Sequence, residues 1–143
     1  MEAEPHAGRV RPAWIEVDLD AVVHNVGRLA ALVAPAAVCA VVKANGYAHG
    51  AAPVAAAALR GGATLLAVAL VEEGDELRQA GIDAPILLLS EPPTGTFDEV
   101  VGCELRPTLY TAEGVAAAGE AAAAAAQVVG GQLQVNTGMN RVG

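Results

Sequence analysis

Short aliphatic runs alternate with longer segments of helical periodicity along most of this chain. The run Val38–Val42 is continuously apolar and has the length of a strand, and such runs are typical of parallel strands buried on both faces. Before it, apolar residues recur at helical spacing over residues 19–33. Asp18 or Asp20 can cap this helix, and Pro35 ends it. The opening third therefore predicts a helix followed by a buried strand.

The same alternation continues to the end of the chain. Further strands are predicted at 65–70, 85–89, 105–109 and 132–135, and further helices at about 52–60, 71–80, 97–101 and from 111 onward. Pro107 interrupts the strand at 105–109. Residues 14–18 alternate in polarity, which predicts an additional opening strand with one face in water. Strand starts roughly twenty to twenty-seven residues apart fit strand, crossover helix and loops, so the prediction is an α/β protein with a parallel sheet.

The length of 143 residues decides how much of such a fold can be present. A complete eight-stranded (β/α) barrel needs about 250 residues, so at most part of one fits. The alternation by itself does not separate part of a barrel from a doubly wound open sheet, since both place their sites at the carboxyl ends of the strands. The chain has neither a G-x-G-x-x-G nor a G-x-x-x-x-G-K-[ST] phosphate-binding sequence, which weighs against the open dinucleotide-binding sheet.

Charge and cysteine content restrict the expected partners. Eight Lys and Arg stand against sixteen Asp and Glu, a formal net charge of −8; such a surface repels nucleic acid and anionic membranes. Cys39 and Cys103 are too few for a disulfide framework or a zinc site, and no metal site is predicted. Residues 1–12 are polar and are expected to be a flexible tail without a signal peptide. The alanine-rich stretch at 115–130 is interpreted as a helix that does not cross a membrane, so the expected compartment is the cytoplasm.

Lys43 is the first candidate for chemistry. It follows Val38–Val42 directly, at the carboxyl end of the predicted buried strand. Partial desolvation there favours the neutral amine, which is a nucleophile able to form a Schiff base. The alternative is a lysine whose side chain reaches from the strand end into water, and position alone favours that alternative.

Three segments have the order and spacing of known motifs. Residues 40–50 read AVVKANGYAHG, residues 14–25 read WIEVDLDAVVHN, and residues 136–143 read NTGMNRVG. These segments resemble, in turn, the pyridoxal-phosphate attachment motif, the opening strand and helix, and the D-T-G-M-x-R-x-G loop of the alanine racemase family. Residues 66–69 and 84–89 fit the second and third barrel strands of that family, so the similarity runs from Trp14 to the end of the chain.

The resemblance implies a fold and an activity. Residues 13–143 would form the N-terminal portion of a pyridoxal-phosphate barrel: about five of the eight strands of a TIM-type (β/α)8 barrel plus an N-terminal strand. The rest of the barrel and a C-terminal β domain would be absent. The family consists of homodimeric isomerases that interconvert L- and D-alanine and supply D-alanine for peptidoglycan, with a tyrosine base from the partner subunit. The chain alone is expected to be inactive and poorly stable, because five parallel strands cannot close.

The resemblance also implies roles for individual residues. Lys43 would be the catalytic lysine, joined to pyridoxal 5'-phosphate through a Schiff base and acting as one of two proton-transfer bases. Tyr47 would help to hold the cofactor phosphate, and Leu89 would touch the cofactor. Arg141 would donate to the phenolic oxygen of the cofactor and, together with Met139, would lie at the substrate end.

Four positions depart from the family pattern. Gly46 and Ala48 stand where the family usually has alanine and glycine, and since both residues are small the loop should survive. Asn136 replaces the usual aspartate. Gln134 stands where many members have a carbamylated lysine that braces the arginine. A neutral amide could bond to Arg141 without neutralising it, and we hypothesise that a bound anion supports the cofactor instead.

Several alternatives stay open at this point. Within the same fold they are serine racemases and other fold-type III amino-acid racemases, or single-domain pyridoxal-phosphate homeostasis proteins. Outside it, the alternative is a non-enzymatic α/β binding module with an incidental lysine. His49 is interpreted as a residue that orders its loop. The acidic residues Glu72, Glu73, Asp75 and Glu76 are interpreted as complementing a helix dipole, without a catalytic role.

Overall fold

A computed structural model describes residues 13–143 of the chain. The α-helices are α1 (Leu19–Val33), α2 (Lys43–Ala48), α3 (Ala51–Arg60), α4 (Val71–Gln79), α5 (Phe97–Gly102) and α6 (Ala112–Ala124), with a short 3₁₀ helix at Thr94–Thr96. The predicted tail at 1–12 lies outside the described residues. None of the helices in 13–143 is long and apolar enough to cross a membrane.

All the strands pair in parallel. They are β1 (Val38–Val41), β2 (Ala63–Val68), β3 (Ile86–Leu88), β4 (Leu105–Arg106), β5 (Thr108–Leu109) and β6 (Gln132–Leu133). One sheet has the order β1-β2-β3-β4, and a second joins β5 to β6. Helices separate β1 from β2, β2 from β3, β3 from β4 and β5 from β6, so the predicted βα succession is confirmed.

Pro107 divides the fourth strand into β4 and β5, as predicted. A proline has no N–H to donate to a strand ladder, and β4 pairs with β3 on one side of it while β5 pairs with β6 on the other. The two halves stay connected to their neighbours: the Pro107 carbonyl accepts from the Gln132 N–H at 2.9 Å, and the buried Thr108 hydroxyl donates to the Leu88 carbonyl at 2.6 Å. The two sheets therefore continue one succession of five barrel-type strands.

The two faces of the four-stranded sheet are unequally covered. Leu66, Ile86 and Leu105 lie in register on one face and are almost completely buried in the core that the helices share. The opposite face, which we call the open face, carries the register row Val41, Ala67, Leu87 and Arg106, with Cys39 below it. The middle of this row is buried, but Val41 is 39% exposed and Cys39 and Arg106 are exposed. A barrel interior would lie on this open side.

The predicted opening strand at residues 14–18 is wrong for the described chain. Residues 13–18 have no regular secondary structure, and Ile15 is 77% exposed. A strand needs a partner for its backbone groups, and no described strand lies alongside this segment. Asp18 instead caps α1, where its carboxylate accepts from the Ala21 N–H at 3.0 Å, so the helix begins as predicted.

Arg78 on α4 ties together the backbone segments that lead into β3 and β4. Its guanidinium donates to the carbonyls of Cys103 and Ala84 at 2.9 Å each, to Ile82 at 2.5 Å and to Glu104 at 3.2 Å. The planar fork of arginine can reach several acceptors at once, which a lysine cannot do. The side chain is half-buried, so these bonds are partly shielded from water.

Replacing Arg78 by methionine is expected to lower the free energy of unfolding by about 3 kcal/mol, because several shielded carbonyls lose their donor together. Urea unfolding followed by circular dichroism measures this change. The matched control is Arg60→Met at the exposed end of α3, which we expect to change stability by less than about 0.5 kcal/mol. Equal unfolding midpoints for the two variants would contradict the role assigned to Arg78.

Candidate active site

Lys43 lies where the sequence predicts it, at the carboxyl end of a parallel strand. The Val42 N–H still donates to the Ala67 carbonyl at 2.9 Å, so sheet hydrogen bonding reaches the residue just before the lysine. Lys43 is half-buried, and it is the only lysine in the sequence. Any chemistry that needs a side-chain amine must therefore use this residue.

The backbone of α2 after Lys43 is left-handed, so this element is a left-handed turn and not an ordinary α-helix. Ala44, Asn45, Gly46 and Tyr47 have φ between 52° and 61° and ψ between 38° and 50°, and Ala48 has φ 67°. A left-handed conformation costs a residue other than glycine about 1–2 kcal/mol. Such a segment persists only where its surroundings determine it.

Hydrogen bonds to residues close in sequence hold the C-terminal part of the turn. The Asn45 side-chain oxygen accepts from the Ala51 N–H at 2.9 Å, which fastens the turn to the start of α3. The Asn45 carbonyl accepts from the Gly50 N–H at 2.9 Å, and the Gly46 N–H donates to the Val42 carbonyl at 2.8 Å. The left-handed path is thereby connected to both β1 and α3.

Of the two departures in this loop, Gly46 fits the backbone, whereas Ala48 carries the cost of a positive φ. Gly46 is buried, and a β-carbon there would lie 3.3 Å from the backbone nitrogen of Ala51, tighter than ordinary contact. Ala48 is exposed, so its methyl group has room. His49 Nδ1 lies 3.1 Å from the Gly46 carbonyl oxygen; since a carbonyl only accepts, this bond requires the proton on Nδ1. The interpretation of His49 as a residue that orders the loop agrees with this contact.

Glu73 contacts the start of the turn from the neighbouring βα unit. Its Oε1 accepts from the Ala44 N–H at 2.6 Å, and its Oε2 accepts from the N–H groups of Ala69 and Leu70 at 2.8 and 3.1 Å. On sequence alone, Glu73 is assigned only to the dipole of α4. Its place at the third position of a helix could have suggested the bond to Leu70, as in a capping box, but nothing local indicates the bond to Ala44.

A second carboxylate makes a similar set of bonds one unit further along. Glu91 accepts from the backbone N–H groups of Tyr110 and Thr111 at 2.6 and 2.9 Å and from the Thr111 hydroxyl at 2.5 Å. Partial burial raises the pKa of the Glu91 carboxyl, but these bonds to its charged form outweigh burial and leave the pKa below its usual value. Glu91 thus holds the turn between β5 and α6.

The remaining predicted site residues lie on different segments. Tyr47 is on the left-handed turn beside Lys43 and is 56% exposed. Leu89 follows β3, two strands from β1 at the same edge of the sheet, and its N–H donates to the Val68 carbonyl at 2.9 Å. Met139 and Arg141 follow β6 and are exposed. The structure thus brings Lys43 and Tyr47 onto one turn and leaves Leu89, Met139 and Arg141 on the segments that follow β3 and β6.

The loop that carries Arg141 is shaped by Asn136. The side-chain oxygen of Asn136 accepts from the N–H groups of Gly138 and Asn140 at 3.0 and 3.1 Å, and its amide donates to the Asn140 side chain at 2.9 Å. This folding brings residue 142 beside Gln134, whose amide donates to the Val142 carbonyl at 3.2 Å. Within residues 13–143 no hydrogen bond joins Gln134 to Arg141, and an anion beside Arg141 stays a prediction.

Known proteins are similar in sequence to this chain over most of its length. The family model described as alanine racemase, N-terminal domain, matches residues 17–143. The chain belongs to this family. Alanine racemase of Desulfosudis oleivorans is 45% identical over 132 residues, covering 92% of this chain and 34% of that protein. Alanine racemase of Clostridium perfringens is 39% identical over 134 residues, covering 94% and 35%.

Solved structures agree with the family assignment. Alanine racemase of Clostridium difficile 630 in complex with cycloserine superposes with a TM-score of 0.88 at 32% identity, covering 94% of this chain and 37% of that one. The alanine racemase of Streptomyces coelicolor A3(2) gives 0.81 at 36% identity, covering 89% and 34%. The predicted partial barrel of an alanine racemase N-terminal domain is confirmed, and the chain spans about a third of the length of the relatives it matches.

Proposed function

We propose that this chain is the lysine-bearing part of a pyridoxal-phosphate-dependent alanine racemase. One observation carries the proposal: the only lysine of an alanine racemase family chain lies at the carboxyl end of β1, on a turn held in a left-handed conformation. Active sites of (β/α) barrels lie at this end of the strands. The compared relatives are alanine racemases, which favours this function over a homeostasis protein or a binding module.

The residues present fit pyridoxal phosphate. A half-buried primary amine and an exposed phenol, Lys43 and Tyr47, share one left-handed turn. They offer an attachment point and a hydroxyl donor for a phosphate. When bound, the cofactor supplies an electron sink that makes the α-proton of an amino acid removable. The Lys43 amine would attach the cofactor and carry a proton to or from one face of the substrate.

Three further residues would complete the site in this chain. Arg141 would donate from its guanidinium to the phenolic oxygen of the cofactor and bind the substrate. Met139 would lie against the substrate, and Leu89 would pack on the cofactor. Arg141 makes no hydrogen bond to another residue in 13–143, so its donors are available.

The whole protein would be a cytoplasmic homodimer that interconverts L- and D-alanine for peptidoglycan. In this proposal residues 13–143 supply the N-terminal portion of the barrel. The second base is a tyrosine of the partner subunit, and alanine is the substrate. Support comes from the membership of the chain in the alanine racemase N-terminal domain family.

Covalent labelling tests the proposal directly. The chain is incubated with pyridoxal phosphate and reduced with borohydride, and the product is digested and mapped by mass spectrometry. We expect one pyridoxyl group on Lys43, and peptide mapping separates it from any label on the N-terminal amine. A reduced product without the adduct on Lys43 would show that the cofactor assignment is wrong.

A further inference from the structure

Glu73 connects two active-site strand ends through a single carboxylate. One oxygen accepts from the Ala44 N–H, directly after Lys43, and the other accepts from Ala69 and Leu70, directly after β2. Ala44 and Glu73 are 29 residues apart in the sequence, and their bond of 2.6 Å is the shortest of the three. The Glu73 side chain is half-buried and its bond to Ala69 is partly shielded from water, whereas Ala44 itself is exposed.

The Ala44 N–H lies at the start of the left-handed turn, where the turn itself offers it no hydrogen-bond partner. The first N–H groups of any helical turn lack a partner inside the turn. Gly46, His49 and Gly50 donate to backbone carbonyls in or directly before this turn, whereas the Ala44 N–H is bonded to the Glu73 side chain of the neighbouring βα unit. A segment with several positive φ values needs such external bonds to keep one conformation.

We propose that Glu73 is a positioning residue for Lys43. Its carboxylate fixes the peptide between Lys43 and Ala44 against the end of β2, and so sets the direction in which the lysine amine leaves the sheet. This inference rests on the proposed function, because the consequence of positioning is the reactivity of Lys43 toward the cofactor. The acidic start of α4 thereby acquires a role in the site.

Three backbone N–H groups point at the Glu73 side chain, so this position requires a side chain with two acceptor oxygens. Two carboxylate oxygens can accept all three N–H groups, whereas glutamine offers one acceptor oxygen and an NH₂ group that only donates. Glu73→Gln therefore keeps the size of the side chain but places the glutamine NH₂ group against one or more of the N–H groups, where two donors face each other and no bond forms. The bond to Ala44 or the pair at the end of β2 must be lost.

Two matched variants separate positioning from general stability. Glu91→Gln removes an equivalent carboxylate that binds two backbone N–H groups and a hydroxyl, but on the turn before α6. Glu72→Gln changes the charge of the exposed neighbour of Glu73 on the same helix. A loss seen with Glu73→Gln and with neither control is specific to the Lys43 turn.

The experiment uses the 143-residue chain and two readouts. Amide hydrogen exchange by NMR reports the three bonded N–H groups without any cofactor. In Glu73→Gln we expect about tenfold faster exchange at Ala44, or at Ala69 and Leu70 where the glutamine oxygen stays on Ala44. Pyridoxyl labelling of Lys43 at a fixed pyridoxal phosphate concentration is expected to be about fivefold slower in the same variant. Glu91→Gln and Glu72→Gln should change both readouts by less than about twofold. If Glu73→Gln does not fold, Glu73→Asp, which keeps the charge on a shorter side chain, is measured by the same criteria.

The outcomes distinguish this inference from the proposed function. Unchanged exchange at all three of Ala44, Ala69 and Leu70 in Glu73→Gln overturns the inference, and so does equal slowing of labelling in Glu73→Gln and Glu91→Gln. If no form of the chain accepts a label on Lys43, the proposed function fails. Acetylation of the Lys43 amine by acetic anhydride then replaces the cofactor as probe, and a rate unaffected by Glu73→Gln overturns positioning as well.

Discussion

Replacing Lys43 by arginine is expected to abolish pyridoxyl labelling of the side chains while leaving the stability of the chain within about 0.5 kcal/mol. Lys43 is the only lysine, and the guanidinium of arginine keeps its proton and is not a nucleophile toward an aldehyde. Within residues 13–143 the Lys43 side chain makes no hydrogen bond, so Lys43→Arg removes no contact of that kind. Peptide mapping after borohydride reduction measures the label, and urea unfolding measures the stability.

A variant that moves the single lysine tests whether the location matters. Arg60 lies exposed at the end of α3, so the double variant Lys43→Arg with Arg60→Lys keeps the number of lysines and the net charge. We expect its label to be at least about tenfold weaker than that of the natural chain, because an exposed amine on a helix has no neighbouring strand ends to hold the cofactor. Equal labelling of the two proteins would show that Lys43 reacts merely as an accessible amine.

The parts of the fold that the sequence predicts correctly depend on local patterns. The apolar run before Lys43 forms a parallel strand as predicted, but its predicted burial on both faces is wrong, because β1 lies at the edge of the four-stranded sheet and its residues are half-buried or exposed. Pro107 splits the fourth strand because it lacks an N–H. Asp18 caps α1 because its carboxylate reaches an N–H three residues ahead. In each case the cause lies within a few residues of the effect.

The parts that the sequence does not predict depend on distant contacts. Ala44, Tyr47 and Ala48 have no local preference for the left-handed conformation, and the bond that fixes the start of their turn comes from Glu73. The alternation at 14–18 satisfies a strand pattern, but a strand forms only where another strand accepts its backbone bonds, and none does so in 13–143. The Lys43 position was therefore predictable, whereas the backbone that presents the lysine was not.

A polypeptide of these 143 residues alone is expected to show no measurable racemisation of alanine. Its open face leaves Val41 39% exposed, where a closed barrel would cover it, and five parallel strands cannot complete a barrel. The proposed mechanism also requires a second base, since inversion at the α-carbon needs proton transfer on both faces of the substrate. Incubation of L-alanine in heavy water, followed by NMR of the α-proton and by polarimetry, measures both exchange and inversion.

A chimera tests whether these residues support alanine racemisation once the rest of the barrel is supplied. Residues 1–143 are joined to the part of the Desulfosudis oleivorans alanine racemase that follows its matched segment, whose 45% identity favours compatible packing across the junction. The chimera is expected to racemise alanine, and the same chimera with Lys43→Arg is expected to lose activity by a factor on the order of 10³ or more, because both covalent attachment and one proton transfer are removed. Turnover by the 143-residue polypeptide at the rate of the chimera would refute the expected dependence on strands outside residues 1–143. A folded chimera that binds pyridoxal phosphate but stays active with Lys43→Arg would refute the role of Lys43, because every other part of the site would be unchanged.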